Sequence, residues 1–352
     1  MSLCALTLSF NAALAGSLQS QTQSTSPSEK NQIRVVTNEV IVPVTVTNTS
    51  GEFVLDLSQQ EFHVFENGVE QNIDHWDIGG DPLAIVVALE TSSRLRVMAP
   101  VIHSMGSIFT ETAMALDGEG AVVTYDSTVD VRQNFTQNHD AVEKAIARTA
   151  FEGAGTNLYD GMAAAVQLLQ AHPPSRRRVM LIVGESQDTG STAKLGQVVR
   201  DAEHANISIY AVGPSSAAAD LRANSTGADP LKLPGIPPIA VSAPGKDSMG
   251  HTFFDWLTPA IWLLERGTNE IKNHQLQAAA TATGGIHYNA IRDSTFRSAL
   301  DKIGSELHAQ YILSYQSSTA HAPGFHSISV NVSRPNVFVR TRPGYYVATP
   351  AN

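Results

Sequence analysis

The sequence predicts an α/β fold, a doubly wound and mostly parallel sheet with helices on both faces, and two observations carry that expectation. Apolar runs recur at 83–89 (LAIVVAL), 120–125 (GAVVTY), 178–184 (RVMLIVG) and 207–213 (ISIYAVG). An uninterrupted run of that length reads as a strand buried on both faces. The segments between them place apolar residues at helical spacing, as with Met98, Val101, Ile102, Met105, Ile108 and Phe109. Strand and helix in alternation require right-handed crossovers and a sheet covered on both sides. The run at 83–90 is the central strand. Open sheets of this kind place ligands at the carboxyl ends of their strands, and the residues there are Glu90, Thr91, Ser92, Ser93 and Arg94.

Composition narrows the function. The 352 residues suffice for about two domains. With 16% charged residues and a formal charge of -10, no basic patch is large enough to suggest nucleic acid, and an acidic surface disfavours anionic membranes. No stretch beyond the N-terminus approaches the roughly 20 apolar residues of a membrane span. Residues 1–17 carry an apolar run at 3–10 and small residues at Ala13 and Ala15, the pattern of a secretory signal without its basic leader. A secreted or periplasmic location is therefore expected. The single cysteine, Cys4, lies inside that segment, so disulfides, zinc–thiolate sites and cysteine nucleophiles are not expected in the mature chain.

Residues 18–32 are polar and read as a disordered linker. An N-terminal β module is expected over 33–77, with a turn at 50–52 and a hairpin at Asn67-Gly68. The α/β domain spans 82–310. It contains a helix running to about Leu116, an edge strand at 128–135, a short helix at 139–149, and FEGAGTNLYDGM leading into a helix capped by Thr156 or Asn157. Further helices are expected near 195–205 and 269–282, a strand at 286–290, and a helix carrying Phe296, Leu300, Ile303 and Leu307, capped by Asp293 or Ser294. A C-terminal β segment over 311–346 is expected to pair with the early module, because an isolated hairpin is marginal in water. Residues 214–270 break the βα rhythm with prolines and an apolar cluster, FFDWLTPAIWLL. Phe253, Phe254, Trp256, Ile261 and Trp262 serve there either as a lid or partner-binding surface or as a packed flank.

Several segments together point to a family. The strand ending in an acid and hydroxyls, TYDSTVDVRQNFT, GAGTNLYDGM and RVMLIVGESQDTG resemble the successive motifs of a von Willebrand factor type A domain. The flanking β modules resemble a secreted, acidobacterial subclass of related proteins. The resemblance implies a metal-ion-dependent adhesion site: an Asp-x-Ser-x-Ser turn, a Thr and a second Asp hold a divalent cation such as Mg²⁺, and a protein partner's carboxylate completes the shell. Mapped onto this chain, the metal positions are Glu90, Ser92, Thr156 and Glu185, with Arg94 where the second Ser belongs.

Glu for Asp adds one bond, about 1.5 Å, at two ligands. Arg94 supplies positive charge of its own and is able to fork onto Glu90 or Glu185. The expectation is a degenerate site with no cofactor, the alternative being a weakly bound divalent cation. The expected role is non-enzymatic recognition of an unidentified protein through Ser92, Ser93, Arg94, Thr156, Trp256 and Trp262. The competing reading is a hydrolase or other enzyme using Ser186, since Gly184-Glu185-Ser186 begins like a nucleophile elbow, or using the Glu90/Glu185 carboxylate pair for acid/base work, against which Arg94 is expected to hold both acids ionised.

Overall fold

The computed structural model describes residues 39–79, 81–173, 175–214, 275–290, 292–319 and 322–347. The signal and linker expectations, and almost all of the 214–270 insertion with Trp256 and Trp262, lie outside the described residues.

Four strands come first: β1 (Glu39–Asn48), β2 (Phe62–Glu66), β3 (Val69–Gln71) and β4 (His75–Ile78). Asn67 and Gly68 turn β2 into β3 with φ of 50° and 79°, the left-handed pair that a two-residue hairpin requires. The α/β part follows with β5 (Leu83–Glu90), α1 (Ala99–Phe109), β6 (Glu119–Tyr125), β7 (Val129–Thr136), α2 (His139–Ala147), α3 (Leu158–Ala171), β8 (Arg177–Val183), α4 (Leu195–His204) and β9 (Ile207–Gly213). After the undescribed segment come α5 (Gln275–Ala282), β10 (His287–Asn289) and α6 (Asp293–Ala309). The chain then adds β11 (Tyr311–Gln316), β12 (Gly324–Val332), β13 (Val337–Thr341) and β14 (Gly344–Val347).

The central sheet has the order β10-β9-β8-β5-β6-β7, parallel throughout except for the antiparallel edge strand β7. All eight residues of β5 are buried, and their alternation feeds two cores. Ala84, Val86 and Ala88 pack under α3, α4 and α5, whereas Leu83, Ile85, Val87 and Leu89 pack under α1, α2 and α6. The early and late strands close into two facing sheets, β13-β1-β11-β4 and β14-β12-β2-β3, around Val42, Val44, Val64, Tyr311 and Leu313. Neither group of strands is complete alone, since β1 lies between β11 and β13, and β2 between β12 and β3.

Two buried ion pairs join this sandwich to the α/β part. Arg340 of β13 pairs with Glu306 of α6, which also accepts the Tyr210 hydroxyl at 2.6 Å. Arg342, just beyond β13, pairs with Glu203 of α4 at 3.1 Å.

Three local expectations are corrected. The helix expected to reach Leu116 leaves α geometry after Phe109 for a wider turn over Thr110–Met114. There the Thr110 and Thr112 hydroxyls donate back to Ser107 and Ile108 carbonyls, competing with the backbone ladder. At α6 the capping position is Arg292, whose N–H donates to the Thr295 hydroxyl at 3.1 Å. The third correction, at α3, involves the candidate site.

Candidate functional site

Parallel pairing decides which residues meet. Glu90 ends β5, Tyr125 ends β6 and Val183 ends β8, and the three strands run side by side in register, so the loops that follow all leave from one rim. These loops are then stitched together by backbone hydrogen bonds. Thr91 N–H donates to Tyr125 O (2.9 Å), Ser93 N–H to Gly153 O (2.9 Å), Gly153 N–H back to Thr91 O (3.0 Å) and Asn157 N–H to Asp126 O (2.6 Å). Thr156 N–H donates to the Thr189 hydroxyl at 2.8 Å. Segments around 90, 126, 156 and 188 thus form one surface.

Neither Thr156 nor Asn157 caps α3 with its side chain. Instead Tyr159 N–H donates to Asp188 Oδ1 (3.2 Å) and Asp160 N–H to Ser191 Oγ (3.0 Å). The cap is supplied across the rim by a loop 30 residues downstream, because the Thr156 hydroxyl is engaged elsewhere. Asp188→Ala is expected to lower stability by about 1 kcal/mol, the usual cost of a lost cap, as read from urea denaturation.

Arg94 organises the centre. Its guanidinium donates to the Thr156 hydroxyl from Nη2 and to Gln187 Oε1 from Nη1 at 2.7 Å. Nη2 lies 3.9 Å from Glu90 Oε1, and Nε lies 3.6 Å from Glu185 Oε2. The expected fork onto one carboxylate is therefore corrected: the two hydrogen bonds go to a hydroxyl and an amide, and both acids are approached at longer range. The reason is geometric, since Glu90 is already committed. Its Oε1 accepts the Ser92 hydroxyl and its Oε2 accepts the Glu185 N–H at 2.7 Å.

Glu90 is fully buried, and burial pushes its carboxyl above the ordinary range against the opposing pull of Ser92, Glu185 N–H and Arg94. Desolvation outweighs a guanidinium nearly 4 Å away in setting the direction of that shift. Room for the longer acid comes from Gly184, where a Cβ would stand 2.8 Å from Glu90 Oε2 and collide with the Tyr125 hydroxyl.

The residues as placed do not fit a divalent cation. The Ser92 hydroxyl is turned to Glu90, the Thr156 hydroxyl is occupied by Arg94, and a positive group stands among the donors an ion would need. Among the described residues no group of three His, Cys, Asp or Glu is arranged to hold a metal.

Ser93 is exposed at the rim, next to exposed Arg94. Ser186 faces inward at 1% exposure, its hydroxyl donating to Gln275 Oε1 (3.3 Å) and accepting from Leu276 N–H (3.2 Å). It holds the start of α5 and is bonded to no imidazole among the described residues, unlike the serine of a nucleophile elbow. Gln187, Asp126 and Asp188 were not singled out from sequence. Asp126 takes the Thr91 hydroxyl (2.8 Å) and Thr128 N–H (2.9 Å). The only sequence signal for them was position, just after the ends of β6 and β8.

Among solved structures, the chain is similar to an aerotolerance-related membrane protein of Bacteroides fragilis, with 12% identity, a TM-score of 0.39, and coverage of 64% of this chain and 98% of that one. BatB of Bacteroides thetaiotaomicron gives 12%, 0.38, 64% and 98%, and proximal thread matrix protein 1 of the mussel byssus gives 11%, 0.42, 66% and 48%. A comparison with curated proteins finds no match. Residues 117–232, about a third of the chain, match the family model of the von Willebrand factor type A domain, the family that the sequence motifs resemble.

Proposed function

We propose that this protein is a non-enzymatic, extracytoplasmic recognition protein that grips a protein partner at the carboxyl rim of its central sheet, with Arg94 in the place of a divalent cation. One observation carries the reading: a single guanidinium, 39% exposed, reaches Thr156, Gln187, Glu90 and Glu185 across three loops. It supplies a fixed positive charge between two acids and still presents part of its surface to solvent. Exposed Ser93 and Gln187 flank it, and Val97, 86% exposed on the turn after Arg94, adds an apolar contact beside the charge. Arginine is among the residues enriched at protein interfaces. The apolar run and small residues of the N-terminus support export.

Calorimetric titration with Mg²⁺ and Mn²⁺ tests the ion-free site. No saturable binding is expected, and micromolar binding that disappears in Ser92→Ala overturns the reading. The partner is tested by capture from extracytoplasmic extracts. Retention in excess EDTA and loss in Arg94→Glu are expected, whereas capture that needs added Mg²⁺ contradicts the proposal.

A further inference from the structure

On the flank formed by β7 and α2 lies a depression of roughly 440 Å³, lined by Arg132, Gln133, Ala141, Lys144, Ala145 and Arg148, with Thr149 and Ala150 closing one end. Three cationic side chains face it and no carboxylate lines it, although the chain as a whole carries a formal charge of -10. The arrangement follows from local structure. Lys144 ends one turn of α2 and Arg148 sits four residues on, so both project from the same side of the helix. Arg132 comes from the facing strand, where its Nε donates to the Thr124 hydroxyl at 3.1 Å and its guanidinium is thereby held at the edge of the depression. Ala141, Ala145 and Ala150 keep the floor low and apolar.

Two of the cations have acids nearby: Arg132 lies 3.5 Å from Asp130 and Lys144 lies 3.3 Å from Asp140. Both contacts are exposed pairs, which contribute little and leave most donors free. Arg148 makes no side-chain hydrogen bond or ion pair among the described residues, leaving its planar fork open. Like charges gathered around a concave surface repel one another, and an anion seated between them relieves that repulsion.

We infer that this depression is a binding site for a small multivalent oxyanion, one bearing two or more phosphate, sulfate or carboxylate groups. A single carboxylate would answer only one of the three cations, whereas a multivalent one spans Arg132, Lys144 and Arg148 together, and arginine recognises such groups bidentately. The site shares no residue with the Arg94 rim, so it stands or falls independently of the proposed function.

Titration of the full chain with pyrophosphate and with citrate at physiological salt tests it. At least one is expected to saturate, to weaken as salt rises, and to lose affinity roughly tenfold or more in Arg148→Ala and in Lys144→Ala. Lys302→Ala, which removes an exposed positive charge from α6, is expected to bind as the parent does. Which probe saturates identifies the acid group. The inference is overturned if none saturates, if Arg148→Ala titrates like the parent, or if Lys302→Ala weakens binding equally.

Discussion

Arg342→Ala is expected to destabilise the protein by about 3–5 kcal/mol at pH 8, the range found when one partner of a buried ion pair is removed, and by distinctly less at pH 5. Both members of the pair are nearly inaccessible, Arg342 at 5% and Glu203 at 4%. Burial, only partly opposed by Arg342, raises the Glu203 carboxyl from 4.5 to about 7. At pH 8 Glu203 is ionised, and deleting its partner strands a buried carboxylate. At pH 5 the acid already holds a proton in the folded chain, so the deletion removes packing and a hydrogen bond but strands no charge.

The same shift governs the unsubstituted protein. Between about pH 4.5 and 7 the folded chain holds a proton that the unfolded chain has released, so stability from this group is full below that window and is lost as pH rises through it. The loss amounts to about 3 kcal/mol on the basis of 1.36 kcal/mol per unit. His204, next in sequence, has its own value lowered by burial. Urea melts of Arg342→Ala in the parent and in a Glu203→Gln background, at both pH values, separate the two. If the cost of Arg342→Ala is the same at pH 5 and pH 8, the electrostatic account is wrong.

The combined substitution Glu90→Asp, Arg94→Ser and Glu185→Asp is expected to create a divalent-cation site on the rim. Removing the guanidinium frees the Thr156 hydroxyl, which now accepts from Arg94, and the second serine restores the donor that the family resemblance calls for. Shortening Glu90 withdraws a carboxylate that presently wraps back onto Ser92 and the Glu185 N–H. Mg²⁺ or Mn²⁺ is expected to bind with a dissociation constant on the order of 10⁻³ M or tighter, since oxygen donors and water suffice for such ions, and to raise the melting temperature in proportion to occupancy. Arg94→Ser alone is expected to be less stable than the parent, because buried Glu90 then lacks its nearest positive charge and is pushed further toward the protonated form. Should the triple variant bind no ion while remaining folded, Arg94 is not what keeps the cation out.

The run at 83–90 and its three counterparts determined the parallel sheet from sequence alone, since a strand without a polar face has to be covered on both sides. The same argument placed Glu90 and Glu185 on one rim, because parallel strands share a carboxyl edge, whereas Thr156 was placed there by the family resemblance. Identity of type was equally legible: Arg94 stands where a hydroxyl belongs in the family pattern, and two acids are one methylene long.

What only the tertiary structure decided are the choices among partners for each of these groups. Arg94 had two carboxylates within reach in sequence terms, but Glu90 was already bound by Ser92 and the Glu185 N–H, so its donors went to Thr156 and Gln187. Asp188 became the cap of α3 across a 29-residue gap, and Ser186 turned inward to α5. The two Arg–Glu pairs that fasten the sandwich join residues 34 and 139 positions apart. Periodicity reports which way a residue faces within its own element. Hydrogen bonds and ion pairs between elements depend on which groups are brought within short range of one another, and that is settled only when the strands and helices are packed together.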